Sequence, residues 1–248
     1  MELVLSDGER LEPLGKNYSV IVSDDHGFGT DAILLASFCG VTGKTKACEL
    51  GTGCGIISTL WFKNGCRSIT AVEIQQKACS QFEKTIRLNG AGESITLLNG
   101  DLRELKGVLP QGSFDLVCMN PPYKPLGTGI ESRSEADRIA RHETMCGIDD
   151  VTGCAASLLR FGGRLCMCHR PERLADVIVS MRCAGIEPKR IRFVVQQEGK
   201  KPWLFLIEGK RGSGRGMTVE RELVIKEADG SNTAEMREIF GDYMDGHQ

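Results

Sequence analysis

The sequence predicts an α/β fold: a mostly parallel, doubly wound sheet with helices on both faces. Three observations carry that expectation. Between residues 45 and 123, apolar runs of strand length alternate with helical segments, which is the rhythm of β-α-β units. A loop with three glycines, Gly51-Thr52-Gly53-Cys54-Gly55, joins the first of those strands to its helix. The run Phe114–Met119 then reads as a buried parallel strand and stops at Asn120-Pro121-Pro122-Tyr123. Two prolines end the ladder there and stiffen the exit.

The elements follow in order. Leu11, Leu14 and Tyr18–Val22 suggest a small strand pair closed by a turn at Asp24–Gly27. A helix is expected over Gly29–Phe38, with Thr30 as N-cap and with Ile33, Leu34 and Phe38 on one face. Strands are expected at Thr45–Leu50, Ser68–Glu73 and Ile95–Leu98, with helices at Ile56–Lys63 and Gln75–Leu88 between them. After Tyr123 a glycine-bearing loop leads to a polar helix over Glu131–Glu143, and a further helix is expected over Asp149–Arg160. Gly162-Gly163 introduces a strand at Arg164–Cys168, and Pro171 opens a helix that stops at Gly185. Two late strands, Arg190–Gln196 and Trp203–Glu208, form a hairpin-like pair with Glu198–Lys201 exposed at its tip. A strand at Glu222–Lys226 and a short helix at Thr233–Phe240 close the chain. The expected organisation is a single domain over 1–248: an N-terminal β/α extension at 1–44, a core at 45–210 and a tail at 211–248.

The chain has 248 residues, 41% hydrophobic and 26% charged, the composition of an ordinary globule. No apolar run reaches the length of a membrane span, and the N-terminus lacks a basic region followed by an apolar core, so a cytoplasmic protein is expected. Its 11 cysteines include no CxxC pair, which argues for reduced thiols and against a zinc ribbon; no metal is expected. Cys166 and Cys168 share one face of their strand and read as small apolar filler. The net charge of −2 hides an asymmetry, because Lys189–Arg215 holds eight basic residues against Glu198 and Glu208. Such a stretch favours a phosphate-bearing partner.

Four successive strand ends carry the chemistry, at the edge of an open sheet where ligands sit. The glycines of the loop permit positive φ and close backbone approach, and the helix behind offers free N–H groups. The NAD fingerprint needs a further glycine where Ile56 stands, so S-adenosylmethionine, which has no phosphate, is the better cofactor. Glu73 is placed to accept the ribose hydroxyls and Asp101 the adenine amino group; either residue alone also fits a cap or turn acid. At Asn120, the side-chain oxygen and the Pro121 carbonyl can each accept one N–H of an exocyclic amino group, and the Tyr123 ring can stack on the plane that bears it.

With these ends in place the chain resembles the Rossmann-like class I S-adenosylmethionine-dependent methyltransferases, whose core is a seven-stranded sheet. Their Asn-Pro-Pro-Tyr subset methylates amino or amide nitrogen. A closer likeness rests on Glu9-Arg10-Leu11, Gly29–Ala36, Asn120–Tyr123, Ala140-Arg141-His142-Glu143 and Pro188–Phe193. It is to the tRNA1(Val) adenine-37 N6-methyltransferase family. One departure is Asn232-Thr233, where that family often has a Tyr-Thr pair. The resemblance implies S-adenosylmethionine as cofactor, the anticodon loop of a tRNA as partner, and methylation of the adenine beside the anticodon. The expected cofactor set is Thr30, Asp31, Glu49, Gly51, Thr52, Gly53, Cys54, Gly55, Glu73, Ile74, Asp101, Leu102 and Asn120. The expected catalytic corner is Asn120, Pro121, Pro122 and Tyr123. Substrate contacts are expected from Tyr123, Arg141, His142, Lys200 and Lys201, with Arg133 and Arg138 on the same backbone-binding surface. Protein glutamine N5-methylation, ribosomal RNA adenine methylation and a non-catalytic RNA-binding module are the rival readings. The first usually carries a helical recognition domain ahead of the glycine loop, where this chain has about 45 partly strand-like residues.

Overall fold

In the computed structural model, residues 4–15, 17–121, 146–241 and 243 are described. The expectations for Pro122, Tyr123, Arg133, Arg138, Arg141, His142 and the 131–143 helix lie outside them. A two-stranded antiparallel ribbon, β1 (Arg10–Pro13) with β2 (Ser19–Val22), opens the chain and is followed by α1 (Thr30–Phe38). Then come β3 (Lys46–Leu50), α2 (Ile56–Lys63), β4 (Ser68–Glu73), α3 (Gln76–Leu88), β5 (Ile95–Asn99) and β6 (Phe114–Met119). The second half runs α4 (Ile148–Leu158), β7 (Leu159–His169), α5 (Leu174–Cys183), β8 (Ile186–Val195) and β9 (Leu204–Arg211). Two short strands, β10 (Thr218–Val219) and β11 (Leu223–Val224), precede α6 (Ala234–Phe240).

The sheet order is β10-β8-β9-β7-β6-β3-β4-β5, with β11 also on β8, making nine strands. Seven of them, β3 to β9, are the expected core. β10 and β11 lie parallel along β8 and extend the edge. All core neighbours are parallel except β9, which runs antiparallel between β7 and β8. The late hairpin is therefore present, and its tip returns to the carboxyl edge of the sheet.

Strict alternation along the strands divides the core in two. Leu116 and Cys118 of β6, with Cys166 and Cys168 of β7, pack with α1, α2 and α3 around Trp61 and Phe82. Val117 and Met119, with Leu165 and Met167, pack with α4 and α5 around Phe114 and Met181. Helices thus cover both faces, as buried parallel strands require. β7 begins at Leu159, five residues earlier than its expected start, because the chain enters through an irregularity between Phe114 and Leu116 of its partner. Gly163 sits in that entry, and a Cβ there would lie 2.8 Å from the Phe114 carbonyl oxygen, so only glycine fits.

Candidate active site at the carboxyl edge

The glycine loop follows β3 with Gly51, Gly53 and Gly55 all at positive φ (64°, 55° and 82°). Each serves differently. A Cβ on Gly55 would lie 2.0 Å from Phe82, so this glycine lets the loop press onto α3. A Cβ on Gly53 would meet nothing within 4 Å, so that backbone faces open space. Gly55 is the N-cap of α2 and has no side chain to cap with. Glu49, from β3, supplies the missing acceptor. Its Oε2 takes the backbone N–H of Ser58 at 2.9 Å, the Ser58 hydroxyl at 2.5 Å and the Thr52 hydroxyl at 2.7 Å. Glu49 is buried beneath the loop, and burial pushes its carboxyl up to about 7, despite those donors.

Glu73 ends β4 and braces the same loop from the other side. One oxygen accepts the Gly53 N–H and the other the Gln75 N–H, both at 2.8 Å. Each carboxylate oxygen has two lone pairs, so one acceptor position on each remains for a hydroxyl. A ribose diol presented beside an open glycine loop matches that donor demand, and S-adenosylmethionine carries one. Asn99, at the end of β5, donates to the Glu73 carbonyl at 2.9 Å and the Ile74 carbonyl at 3.1 Å. This ties β4 and β5 where Ile74 stands partly exposed. Asp101 caps the short turn at Leu102–Glu104 and is clasped by Arg103 at 2.5 Å. The Arg103 guanidinium holds the Asp101 carboxyl below its ordinary value. Cys54 donates its thiol to the Gly27 carbonyl at 3.6 Å, and burial pushes that thiol up to about 12.

Asn120 leaves β6 in the middle of the sheet. Its Nδ2 donates to Asp31 Oδ2 at 3.2 Å, from the first turn of α1. Its Oδ1 accepts from the Cys168 thiol of β7 at 3.2 Å. An ionised carboxylate only accepts, so Asp31 turns the amide nitrogen toward itself and Oδ1 away from it. Thr30, expected as N-cap of α1, is its first residue, with Gly29 at the cap. The sequence grouped Asp31 with the cofactor residues, and in the structure it accepts a hydrogen bond from the Asn120 amide. Cys168 was read as filler; its signal, a strand residue level with Asn120 on the neighbouring strand, becomes visible only once β6 and β7 are paired. Lys200 and Lys201 are exposed in the β8–β9 connection, at the same edge as Asn120. Cys166 and Cys168 lie buried in the sheet as expected.

Residues 20–137 match the family described as methyltransferase small domain. The chain is similar to the tRNA1(Val) (adenine(37)-N6)-methyltransferase of Tolumonas auensis, 28% identical over 203 residues, which is 81% of this chain and 82% of the relative. The enzyme of that name from Yersinia pseudotuberculosis is 26% identical over 87% of this chain and 84% of its own length. Among solved structures, a predicted O-methyltransferase from Agrobacterium tumefaciens has a TM-score of 0.69 at 21% identity, covering 86% of this chain and 97% of its own. An S-adenosylmethionine-dependent methyltransferase from Aquifex aeolicus has a TM-score of 0.52 at 14% identity, covering 73% and 89%. These bear out the α/β methyltransferase fold, the methyltransferase reading and the likeness to the adenine-37 N6-methyltransferases. Among the described residues, no helix is long and apolar enough to cross a membrane.

Proposed function

We propose that this chain, a class I S-adenosylmethionine-dependent methyltransferase, methylates N6 of an adenine in tRNA, with adenine 37 of tRNA1(Val) as the specific target. The observation that carries the reading is the Asp31–Asn120 bond at 3.2 Å, which presents the amide oxygen of Asn120 as an acceptor at the exit of the central strand. The names of the relatives supply the substrate class.

An exocyclic adenine nitrogen is a weak nucleophile because its lone pair is delocalised into the ring. Asn120 Oδ1 and the Pro121 carbonyl accept its two N–H bonds, which holds the lone pair toward the donor and enriches the nitrogen. S-adenosylmethionine supplies an electrophilic methyl on a sulfonium. Gly53 and Glu73 hold the amino-acid and ribose ends of that cofactor, and Thr52 and Glu49 keep the loop in shape. The protein's part is orientation and electrostatics. Lys200 and Lys201 face the phosphates of the loop that carries the target.

Transfer of labelled methyl from S-adenosylmethionine to unmodified total tRNA, followed by nucleoside mass spectrometry, tests the reading. N6-methyladenosine in the wild-type reaction, lost in Asn120→Ala with cofactor affinity kept within a few-fold, is the expected result. Retained turnover in Asn120→Ala would sink the mechanism, and label appearing in ribosomal RNA or in a protein glutamine would overturn the substrate.

A further inference from the structure

One edge of β2 in the N-terminal ribbon is paired with β1. Backbone groups on its other edge need partners too. Helix α3 supplies them from Gln81, Thr85 and Asn89, which share one face at helical spacing. Asn89 accepts the Ser19 N–H at 3.1 Å and donates to the Ser19 carbonyl at 2.7 Å. Thr85 accepts the Ile21 N–H at 3.0 Å, and Gln81 donates to the Ile21 carbonyl at 2.8 Å. Thr85 and Gln81 are buried. Helix side chains thus stand where a third strand would.

Gln81 reaches further than the other two. Its second amide N–H extends past the end of β2 to the His26 carbonyl at 2.9 Å, and its Oε1 accepts the Ser23 hydroxyl at 2.8 Å. The Ser23 oxygen in turn accepts the His26 N–H at 3.1 Å. From His26 the chain runs Gly27-Phe28-Gly29-Thr30 to Asp31, which takes the Asn120 amide at 3.2 Å. The two glycines make that connection pliable. Along it, the Gly27 carbonyl meets the Cys54 thiol of the glycine loop at 3.6 Å, and the Phe28 ring lies tilted against Tyr243 at 6.2 Å. Phe82, next to Gln81 on α3, is the residue against which Gly55 packs. Adjacent residues of α3 therefore support the glycine loop and the segment that leads to Asn120.

We propose that Gln81 is a positioning residue for methyl transfer: by fixing the His26 carbonyl on the helix that also backs the glycine loop, it sets where Asp31 holds the Asn120 amide relative to the bound cofactor. This rests on the function proposed above. In-line transfer is steeply sensitive to displacements of about 1 Å. Gln81 bonds to backbone carbonyls and to Ser23, not to the reacting groups, so its effect falls on rate and not on binding. Thr85 and Asn89 bond the ribbon at Ile21 and Ser19 instead.

Gln81→Leu and Thr85→Val in full-length protein separate the two roles, because each removes a buried side chain's bonds to the same ribbon. Single-turnover methyl transfer to unmodified total tRNA is measured at saturating S-adenosylmethionine, well below the melting temperature of each variant. Gln81→Leu is expected to slow transfer about tenfold, with KM for tRNA and S-adenosylmethionine affinity within about threefold of wild type. Thr85→Val, although it too lowers the melting temperature, should transfer within about twofold of wild type. Ser23→Ala loosens the same bracket at a half-buried position and should slow transfer about threefold, which carries the test if Gln81→Leu does not fold. Added to Asp31→Asn, Gln81→Leu should cost less than about twofold more, because both act through the hold on Asn120. Full-rate transfer in Gln81→Leu and Ser23→Ala, equal losses in Gln81→Leu and Thr85→Val, or additive losses with Asp31→Asn overturns the inference. Wild-type protein that labels no tRNA overturns the proposed function and this inference with it. Wild-type protein that labels tRNA, beside Gln81 and Ser23 variants of full rate, overturns the inference alone.

Discussion

The two parts of the basic segment at 189–215 are built differently. In its strands, most of the charges are consumed by the fold; Lys210, exposed near the end of β9, is the exception among those described. Arg190 donates to Glu208 at 3.1 Å, Glu220 at 3.2 Å and the Phe38 carbonyl at 2.5 Å, and lies 3.8 Å from the Phe38 ring centre. Arg192 forks onto Glu235 at 2.6 and 2.7 Å, Lys189 reaches the Gly214 carbonyl, and Arg211 bonds the Leu159 carbonyl. At the tip of the hairpin, Lys200 and Lys201 stand exposed. A charge sum treats these residues alike. The structure divides them into cations that knit β8 to α1, α6 and the late strands, and cations that face outward at the edge where Asn120 sits. The acids at that edge divide the same way: Glu49 is spent on the loop, while Glu73 keeps acceptor capacity.

The sharpest test of that division is Glu49→Gln. The folded state keeps Glu49 protonated up to about pH 7, whereas the unfolded chain releases that proton near 4.5. Between those values the folded state binds the extra proton, so stability falls as pH rises, by about 3 kcal/mol across the window. Denaturant unfolding from pH 4.5 to 8 should show this fall in the wild type relative to Glu49→Gln. The variant's amide oxygen can still accept from Ser58 and Thr52. Cofactor affinity should stay within a few-fold in Glu49→Gln and drop at least tenfold in Glu73→Gln, about 1.4 kcal/mol. The reverse pattern would exchange the two roles.

Arg190→Ala comes next. Glu208 would keep Arg164 at 2.6 Å but lose its second cation. The expected cost is about 2 kcal/mol of stability, less than removal of a sole buried partner, with KM for tRNA unchanged. A raised KM with unaltered stability would return Arg190 to the RNA surface. Lys200→Glu/Lys201→Glu should do the opposite: melting within about a degree of wild type, KM for tRNA raised roughly tenfold, and the slope of log KM against log salt reduced by between 1 and 2, on the order of two phosphate contacts.

The fold was legible because strand-length apolar runs, turn glycines and the Asn120-Pro121 stop are local signals. β11 falls inside the strand expected at Glu222–Lys226, whereas the two-residue strand β10 carries no such signal and exists only because β8 offers it an edge. Within the site, the glycine loop, Glu73 and Asn120 could be read because each follows a strand. The commitments of Glu49 and Arg190 could not. Whether a charge is buried or paired depends on partners distant in sequence, such as Glu235, 43 residues from Arg192, or Phe38, 152 residues from Arg190. Composition places a charge in a segment; only pairing of the strands decides which way it is used.

Asn120 falls between the committed groups and the open ones, and Cys168 shows why. The thiol occupies one lone pair of Oδ1 at 3.2 Å, yet a thiol is a weak donor. In the proposed mechanism a substrate N–H competes with that weak donor for Oδ1, while Asp31 holds the amide nitrogen. Cys168→Ala removes the weak donor and leaves the carboxylate anchor, so single-turnover methyl transfer should change by no more than about threefold, the order of half a typical hydrogen bond. Cys168→Ser places a stronger hydroxyl donor in the same position, nearly the same size but in direct competition for Oδ1. It should be the slower of the two variants, with cofactor affinity unchanged. If serine matches the wild-type rate and alanine does not, the contact positions Asn120 through its hydrogen bond, and the proposed competition for Oδ1 does not limit the rate.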